Sequence, residues 1–335
     1  MQTRGKIRLT IYVLGFSGAV LFTALLIRQG IPAVGAAVLT AGWGIALVAL
    51  FHLLPIFFDT IAWWVLFPRA QRPHWQSLYW MRWIGESISN LLPSAMIGGD
   101  LLRARLAAIR GTPIALAAGS AIVDVTLGVV AQILFTLLGL ALLVLATGAT
   151  NLVGPTLIGT VVGIAAIVGF YIAQRLGMFR FMSVIITRLI QSEEWSPLVQ
   201  KGEALDQTVR ELYGRRRGAL LCCAWTLVSF VVSSGEIWIA LWALDAHPTL
   251  LNALILQSMA VTVRNAAFAV PGQLGVQEGG YLVIGKVLGI PDVTAFAISL
   301  IARFRDLAVG IPGLIMWQLV EGKRFLRTRE TALDR

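Results

Sequence analysis

The sequence predicts an all-α, polytopic integral membrane protein, and three observations predict it. Hydrophobic residues make up 57% of the 335 and charged ones only 13%, with a mean hydropathy of +0.80. The apolar residues fall in runs of roughly 20, the length a bilayer core demands of a helix, separated by short polar turns. The formal charge of +10, mostly arginine, gathers at the ends of those runs, as positive residues do in cytoplasmic loops. At about 20 residues per crossing, about six to eight transmembrane helices are expected, with two broken or re-entrant elements. The alternating strands of a membrane barrel are absent, as is the aromatic-interleaved basic face that nucleic acid would need.

In chain order, residues 9–27 are long for a signal-peptide core and lack a small-residue cleavage site, so they read as a retained first helix. Residues 34–54 form the second run, ending at Pro55 and at Phe57, Phe58, Trp63 and Trp64, aromatics that mark an interface. Arg69 and Arg72 follow in a loop assigned, with the N-terminus, to the cytoplasm. Residues 75–110 are apolar but peppered with polar groups and bracketed by basic ones, the pattern of a first re-entrant element. Residues 114–146 make one long helix carrying the lone acid Asp124, and residues 156–173 return after an uncharged outer turn. Residues 174–217 form a polar cytoplasmic linker, with Phe181, Ile185 and Leu189 at helical spacing, expected to lie along the membrane surface. Residues 218–244 cross with Glu236 near the middle, residues 250–290 form the second re-entrant element, and residues 293–320 make the final crossing. A basic tail then places the C-terminus in the cytoplasm. The chain thus reads as one membrane domain, 1–335, with a first half 1–173 and a second half 218–335. Cys222 and Cys223, adjacent in an apolar run, read as small buried hydrophobes.

The two re-entrant elements share a pattern. The stretch Ala269-Val-Pro-Gly-Gln-Leu-Gly-Val-Gln-Glu-Gly-Gly-Tyr281 sets an acid among helix breakers inside apolar sequence. Pro93, Asp100, Gly111 and Pro113 recur at the spacing of Pro271, Glu278, Gly289 and Pro291, which predicts an internal repeat. An odd number of crossings separates the two elements, so the repeat is expected to be inverted, each element entering from its own side. Pro93, Gly98 and Gly99 are the backbone breakers of the first, and Pro271, Gly272 and Gly275 those of the second. Broken backbone at membrane depth persists only where protein buries it or where it lines a watery cavity. Such paired interruptions are the sequence mark of a transporter's binding site.

A charge at a helix centre costs about 2.5 to 3.5 kcal/mol on insertion scales, and Glu86, Asp100, Asp124, Glu236, Arg264, Glu278, Arg303, Arg305 and Asp306 all fall in apolar sequence. Mutual pairing around one polar cavity is the economical arrangement. Asp100 and Glu278 lead as substrate-binding or transport residues, either as partners of arginines or as protonatable groups. The plainer reading of each is a cap on the N–H groups of a helix start. Arg103 beside Asp100 suits a phosphate headgroup, or else anchors the cytoplasmic face. Arg82 and Glu86, four apart on one helix face, are expected to neutralise each other. Arg264, Arg303, Arg305 and Asp306 divide evenly between ligand contact and internal pairing, and Glu236 is placed at the same cavity. His52, His74 and His247 are dispersed, and no zinc-protease, phosphate-loop or nucleophile-elbow pattern occurs. No catalytic residue, metal or cofactor is therefore expected.

Pro93 with Gly98-Gly99-Asp100-Leu-Leu-Arg103, and Pro271-Gly272 with Gly275-Val276 and Glu278, resemble the flippase-like membrane domain of the lysylphosphatidylglycerol synthase family over nearly the whole chain. Gly272 to Tyr281, followed by Ile301-Ala-Arg-Phe-Arg-Asp-Leu307, looks most like the hopanoid-biosynthesis-associated branch. The resemblance implies a protein of the bacterial inner membrane that moves, or helps move, a phospholipid or hopanoid between leaflets. Two departures stand out. Only a short basic tail follows Val320 where the synthases carry an aminoacyl transferase domain, so lipid aminoacylation is not expected. An acid–arginine pair expected near Asp124 is replaced by Val123-Asp124-Val125. The leading expectation is a lipid translocator and not an enzyme, with a membrane lipid as substrate, lipid biosynthetic enzymes as candidate partners and no nucleic acid. The competing readings are an intramembrane enzyme on a lipid or isoprenoid headgroup, using the same acids as general acid and base, and a non-transporting accessory subunit that docks a biosynthetic enzyme through residues 174–217.

Overall fold

The computed structural model describes residues 20–92, 97–148, 153–178, 196–247, 249–266, 270 and 273–333, and among them there is helix and no strand. The helices are α1 (Val20–Gln29), α2 (Ile31–Ala41), α3 (Trp43–Phe51), α4 (Leu53–Trp64), α5 (Trp75–Leu91), α6 (Ile97–Ile109), α7 (Ile114–Thr147), α8 (Val153–Arg175), α9 (Ser196–Gly214), α10 (Arg216–Ala243), α11 (Leu250–Ala266), α12 (Val276–Val287) and α13 (Asp292–Leu333). Among the described residues four stretches are long and apolar enough to cross a membrane: Trp43–Trp64, Ile114–Thr147, Thr156–Arg175 and Arg216–Ala243. The pair α1 and α2, bent by 85°, makes a fifth if it counts as one span. The four helices of the two broken elements have only 17, 13, 17 and 12 residues, short of the roughly 20 that a crossing needs.

Pro55 does not end the second run. It sits in the first turn of α4, where the missing N–H has no intrahelical partner to lose. The chain therefore continues from α3 through His52 to Trp64, and His52 sits at the junction. Residues 93–96, 267–269 and 271–272, and with them Pro93, Pro271 and Gly272, lie outside the described residues. Gly98 and Gly99, read as breakers, are helical in the first turn of α6. Gly99 instead allows contact: a Cβ on the facing Gly85 would lie 2.8 Å from the Gly99 carbonyl oxygen, so the two glycines let α5 and α6 touch along their backbones. At the far end of this hairpin Arg110 Nη1 donates to Ser77 Oγ at 3.2 Å. In the second hairpin, α11 and α12, Gly280 packs on Val263, and Gly275 takes a φ of +78° just ahead of α12.

Both hairpins stop alike. Gly111 and Gly289 are left-handed, with φ of +96° and +73°. The following amides close back onto the helix, Thr112 N–H to Ala107 C=O at 3.1 Å and Ile290 N–H to Gly285 C=O at 2.8 Å, the bond of a Schellman stop. Pro113 and Pro291 then lead into α7 and α13.

Two apolar clusters make the core. The first gathers Trp63, Phe67, Leu78, Leu106, Val123, Val209 and Leu212; the second gathers Val48, Leu143, Leu241, Leu256, Ile284 and Ile298. On α7, α10, α13 and the α3–α4 pair, residues of one cluster precede those of the other, and the charged residues fall between them. The linker contributes to this packing through Val209 and Leu212 of α9. Tyr213 of α9 donates to Gln174 Oε1 at 2.8 Å, and Gln174 Nε2 donates to Thr126 Oγ1 of α7 at 3.2 Å. Burial pushes the Tyr213 phenol up to about 12, so it remains a donor at neutral pH. Phe181, Ile185 and Leu189 lie outside the described residues. Cys222 is buried, Cys223 half-buried, and both are free thiols. Among the described residues of α8 the buried ones are the polar Thr160 and Gln174, and no apolar side chain is buried, which suits a helix whose neighbour is lipid.

Candidate functional site

The charges between the clusters form three networks. The first centres on Asp124 of α7, 3% exposed. Its Oδ2 accepts from Arg82 Nη1 of α5 at 2.5 Å and pairs with Arg103 Nη1 of α6 at 2.7 Å. Arg82 also faces Asp59 of α4 at 3.6 Å, and Arg103 Nε donates to Asp100 Oδ1 at 2.8 Å. The Arg103 guanidinium lies 4.7 Å over the Trp63 ring, whose Nε1 donates to Ser120 Oγ at 3.1 Å. The acid–arginine pair missing from the neighbours of Asp124 in sequence is thus made across helices. It joins three elements, because a carboxylate with several acceptor sites can hold two guanidiniums.

The second network runs through His52. Its Nδ1 is 2.9 Å from Glu236 Oε1 on α10 and its Nε2 is 2.8 Å from Glu86 Oε1 on α5. Glu236 also binds Arg305 of α13, and Arg305 Nη2 donates to Asp306 Oδ1 at 2.7 Å. The third network is Glu278 of α12, which is fully buried. Its Oε2 accepts the Gly275 N–H at 2.7 Å and its Oε1 accepts from Arg303 Nε at 2.6 Å, so Glu278 caps its own helix.

The first two networks put Asp59, Arg82, Glu86, Asp100 and Arg103 on the lining of one polar pocket of about 260 Å³, which Arg264 also lines. Arg264 of α11 differs from the other two arginines. Its described partners are neutral amides: Nε donates to Gln273 Oε1 at 3.1 Å and Nη2 to Asn90 Oδ1 at 2.8 Å. A guanidinium held by amides at a pocket wall keeps its full charge for an incoming anion, and its planar fork matches phosphate or carboxylate oxygens. Asp59, Glu86 and Asp100 on the same wall suit a cationic group. The pocket can therefore hold a small polar group of either sign, or one bearing both. Among the described residues no cluster of His, Cys, Asp and Glu offers a metal site.

Of the residues singled out in the sequence, Glu86, Asp100, Arg103 and Arg264 line the pocket. Glu236, Glu278, Arg303, Arg305 and Asp306 are not on its lining; Glu278 pairs with Arg303, Arg305 with Glu236 and Asp306, and Glu236 with His52 as well. Arg82 and Glu86 make no salt bridge with each other: the described ion-pair partners of Arg82 are Asp124 and Asp59, and that of Glu86 is His52. The sequence reading missed His52, Asp59, Asn90 and Gln273 as parts of the site. His52 carried a usable signal, being one ionisable ring inside an apolar run; Asn90 and Gln273 are neutral and carried none.

Neither a curated protein nor a solved structure matches the chain significantly. A family model does, the lysylphosphatidylglycerol synthase TM region, over residues 9–313. A buried belt of paired charges inside apolar helices, together with a match across most of its length, makes this chain a membrane protein of the lysylphosphatidylglycerol synthase transmembrane family.

Proposed function

We propose that the protein is a lipid translocator of the bacterial inner membrane, with both termini in the cytoplasm, which moves a phospholipid or hopanoid between leaflets without changing its chemistry. The observation that carries this reading is the polar pocket between helices that otherwise face lipid, with Arg264 on its lining hydrogen-bonded to the amides of Asn90 and Gln273 and ion-paired to no described carboxylate. The headgroup enters the pocket while its apolar tail remains in the bilayer, which removes the main barrier to crossing, the desolvation of polar groups in hydrocarbon. The matched helix stops at Gly111 and Gly289 support an internal, inverted repeat, with the α5–α6 and α11–α12 hairpins as re-entrant elements meeting at the pocket. Family membership supports a lipid as the cargo.

The experiment is transbilayer movement of fluorescent lipids in proteoliposomes. Wild-type protein is expected to move lipid, and Arg264→Gln to slow it by about tenfold, the equivalent of losing about 1.4 kcal/mol of headgroup binding. An equal rate in folded Arg264→Gln protein would remove the pocket from the path. A change in lipid mass instead of sidedness would favour an enzyme.

A further inference from the structure

The contacts of His52 fix a proton count. Each ring nitrogen lies within hydrogen-bond distance of a carboxylate oxygen, at 2.8 Å from Glu86 and 2.9 Å from Glu236. An ionised carboxylate only accepts, and a neutral imidazole has a single N–H to donate. For both contacts to be hydrogen bonds, two protons must lie in them. The trio therefore holds one proton more than a neutral ring between two carboxylates, and that proton belongs to the group as a whole. The other charges around His52 are Arg305 and Asp306 on α13, which bind Glu236 and each other; on α4, Asp59 faces Arg82.

The two carboxylates are not equivalent. Glu236 has a second cation in Arg305 and remains neutralised if the ring loses its proton. Glu86 has His52 as its described partner, and Glu86 also lines the pocket beside Asp59 and Asp100. A deprotonated ring can donate to just one acid. If it keeps Glu236, Glu86 loses its hydrogen-bonded cation, with Arg82 and Arg305 the cations left near it, and its added negative charge on the pocket wall opposes an anion held by Arg264. With the proton bound, Glu86 is neutralised and the anion is favoured.

We propose that His52, Glu86 and Glu236 form a proton-binding site that couples headgroup loading, and hence lipid movement, to the transmembrane pH difference. Binding consumes one proton from water and forms the Nε2–H···Glu86 bond; release breaks that bond and returns the proton to water. The proposal rests on the translocator reading, and its test separates the two.

The first arm is nitrogen NMR of ring-labelled protein in nanodiscs, with His74→Gln and His247→Gln so that His52 alone reports. The ring is expected to keep both protons at neutral pH and to lose one at lower pH in Glu86→Gln. The second arm is movement of fluorescent phosphatidylglycerol in phosphatidylethanolamine–phosphatidylglycerol proteoliposomes between about pH 5 and about pH 9, spanning the histidine range. The wild-type rate is expected to change by up to about tenfold per pH unit, the limit for one titrating proton, while His52→Gln becomes flat. A singly protonated ring at neutral pH in the wild type overturns the proposal. So does lipid movement in His52→Gln that keeps the wild-type pH profile. If wild-type protein moves no lipid at any pH, the translocator reading falls and the coupling with it, and the NMR arm still tells whether the proton site exists.

Discussion

In the first hairpin the arginine of the leading helix, Arg82, is bound by carboxylates, Asp124 at 2.5 Å and Asp59 at 3.6 Å. In the second, Arg264, one helical turn past the position that the repeat spacing matches to Arg82, is bound by the amides of Asn90 and Gln273. The difference is not a lack of acids. Asp306 follows Arg264 at the spacing by which Asp124 follows Arg82, but an added arginine, Arg305, takes its carboxylate at 2.7 Å. Two hairpins with the same helix stops thus serve different ends. The first is a closed set of ion pairs that fastens α4, α5, α6 and α7 together, and the second leaves one guanidinium facing an open pocket.

The comparison is tested most severely at Asp124. Asp124→Asn removes the carboxylate shared by Arg82 and Arg103, leaving them Asp59 and Asp100, and is expected to cost about 3 to 5 kcal/mol of stability, the range for breaking a buried ion pair. Thermal unfolding in detergent would read it, and a loss under about 1 kcal/mol would mean the first network is dispensable. Replacing each of the two arginines in turn sharpens the contrast. Arg82→Gln should lower stability by at least about 2 kcal/mol more than Arg264→Gln, because only the first takes the cation from Asp59 and one of two from buried Asp124. Equal losses would put Arg264 in the scaffold. The smallest effect probes what the hairpins share. Alanine at Gly111 or at Gly289 meets open space but a left-handed backbone, so each should cost about 1 kcal/mol and the two should agree. A large disagreement would argue against equivalent stops.

The sequence made the hairpins legible because proline, glycine and acid at fixed spacing are local signals. It also marked most of the buried charges, since any ionisable group in an apolar run must find a partner. It did not reveal which partner, because pairing across helices depends on packing: Arg82 and Glu86 share a helix face yet each bonds elsewhere. Glu278 shows the limit from the other side. Its spacing matched Asp100, but at the start of α12 the nearest unsatisfied donor is its own backbone, and it turned inward to the Gly275 amide and Arg303. Helix lengths were the least legible, as Pro55 reads as a stop in sequence and is tolerated in a first turn.

The His52–Glu236 contact, spanning 184 residues, also has a consequence for biogenesis. Synthesis delivers His52 and Glu86 to the membrane well before Glu236 and Arg305 exist, so the nascent first half must enter the insertion machinery with its charges only partly matched. Chains cut short before α10 should be held at the translocon or degraded, and the two halves, co-expressed as separate polypeptides, should stabilise each other.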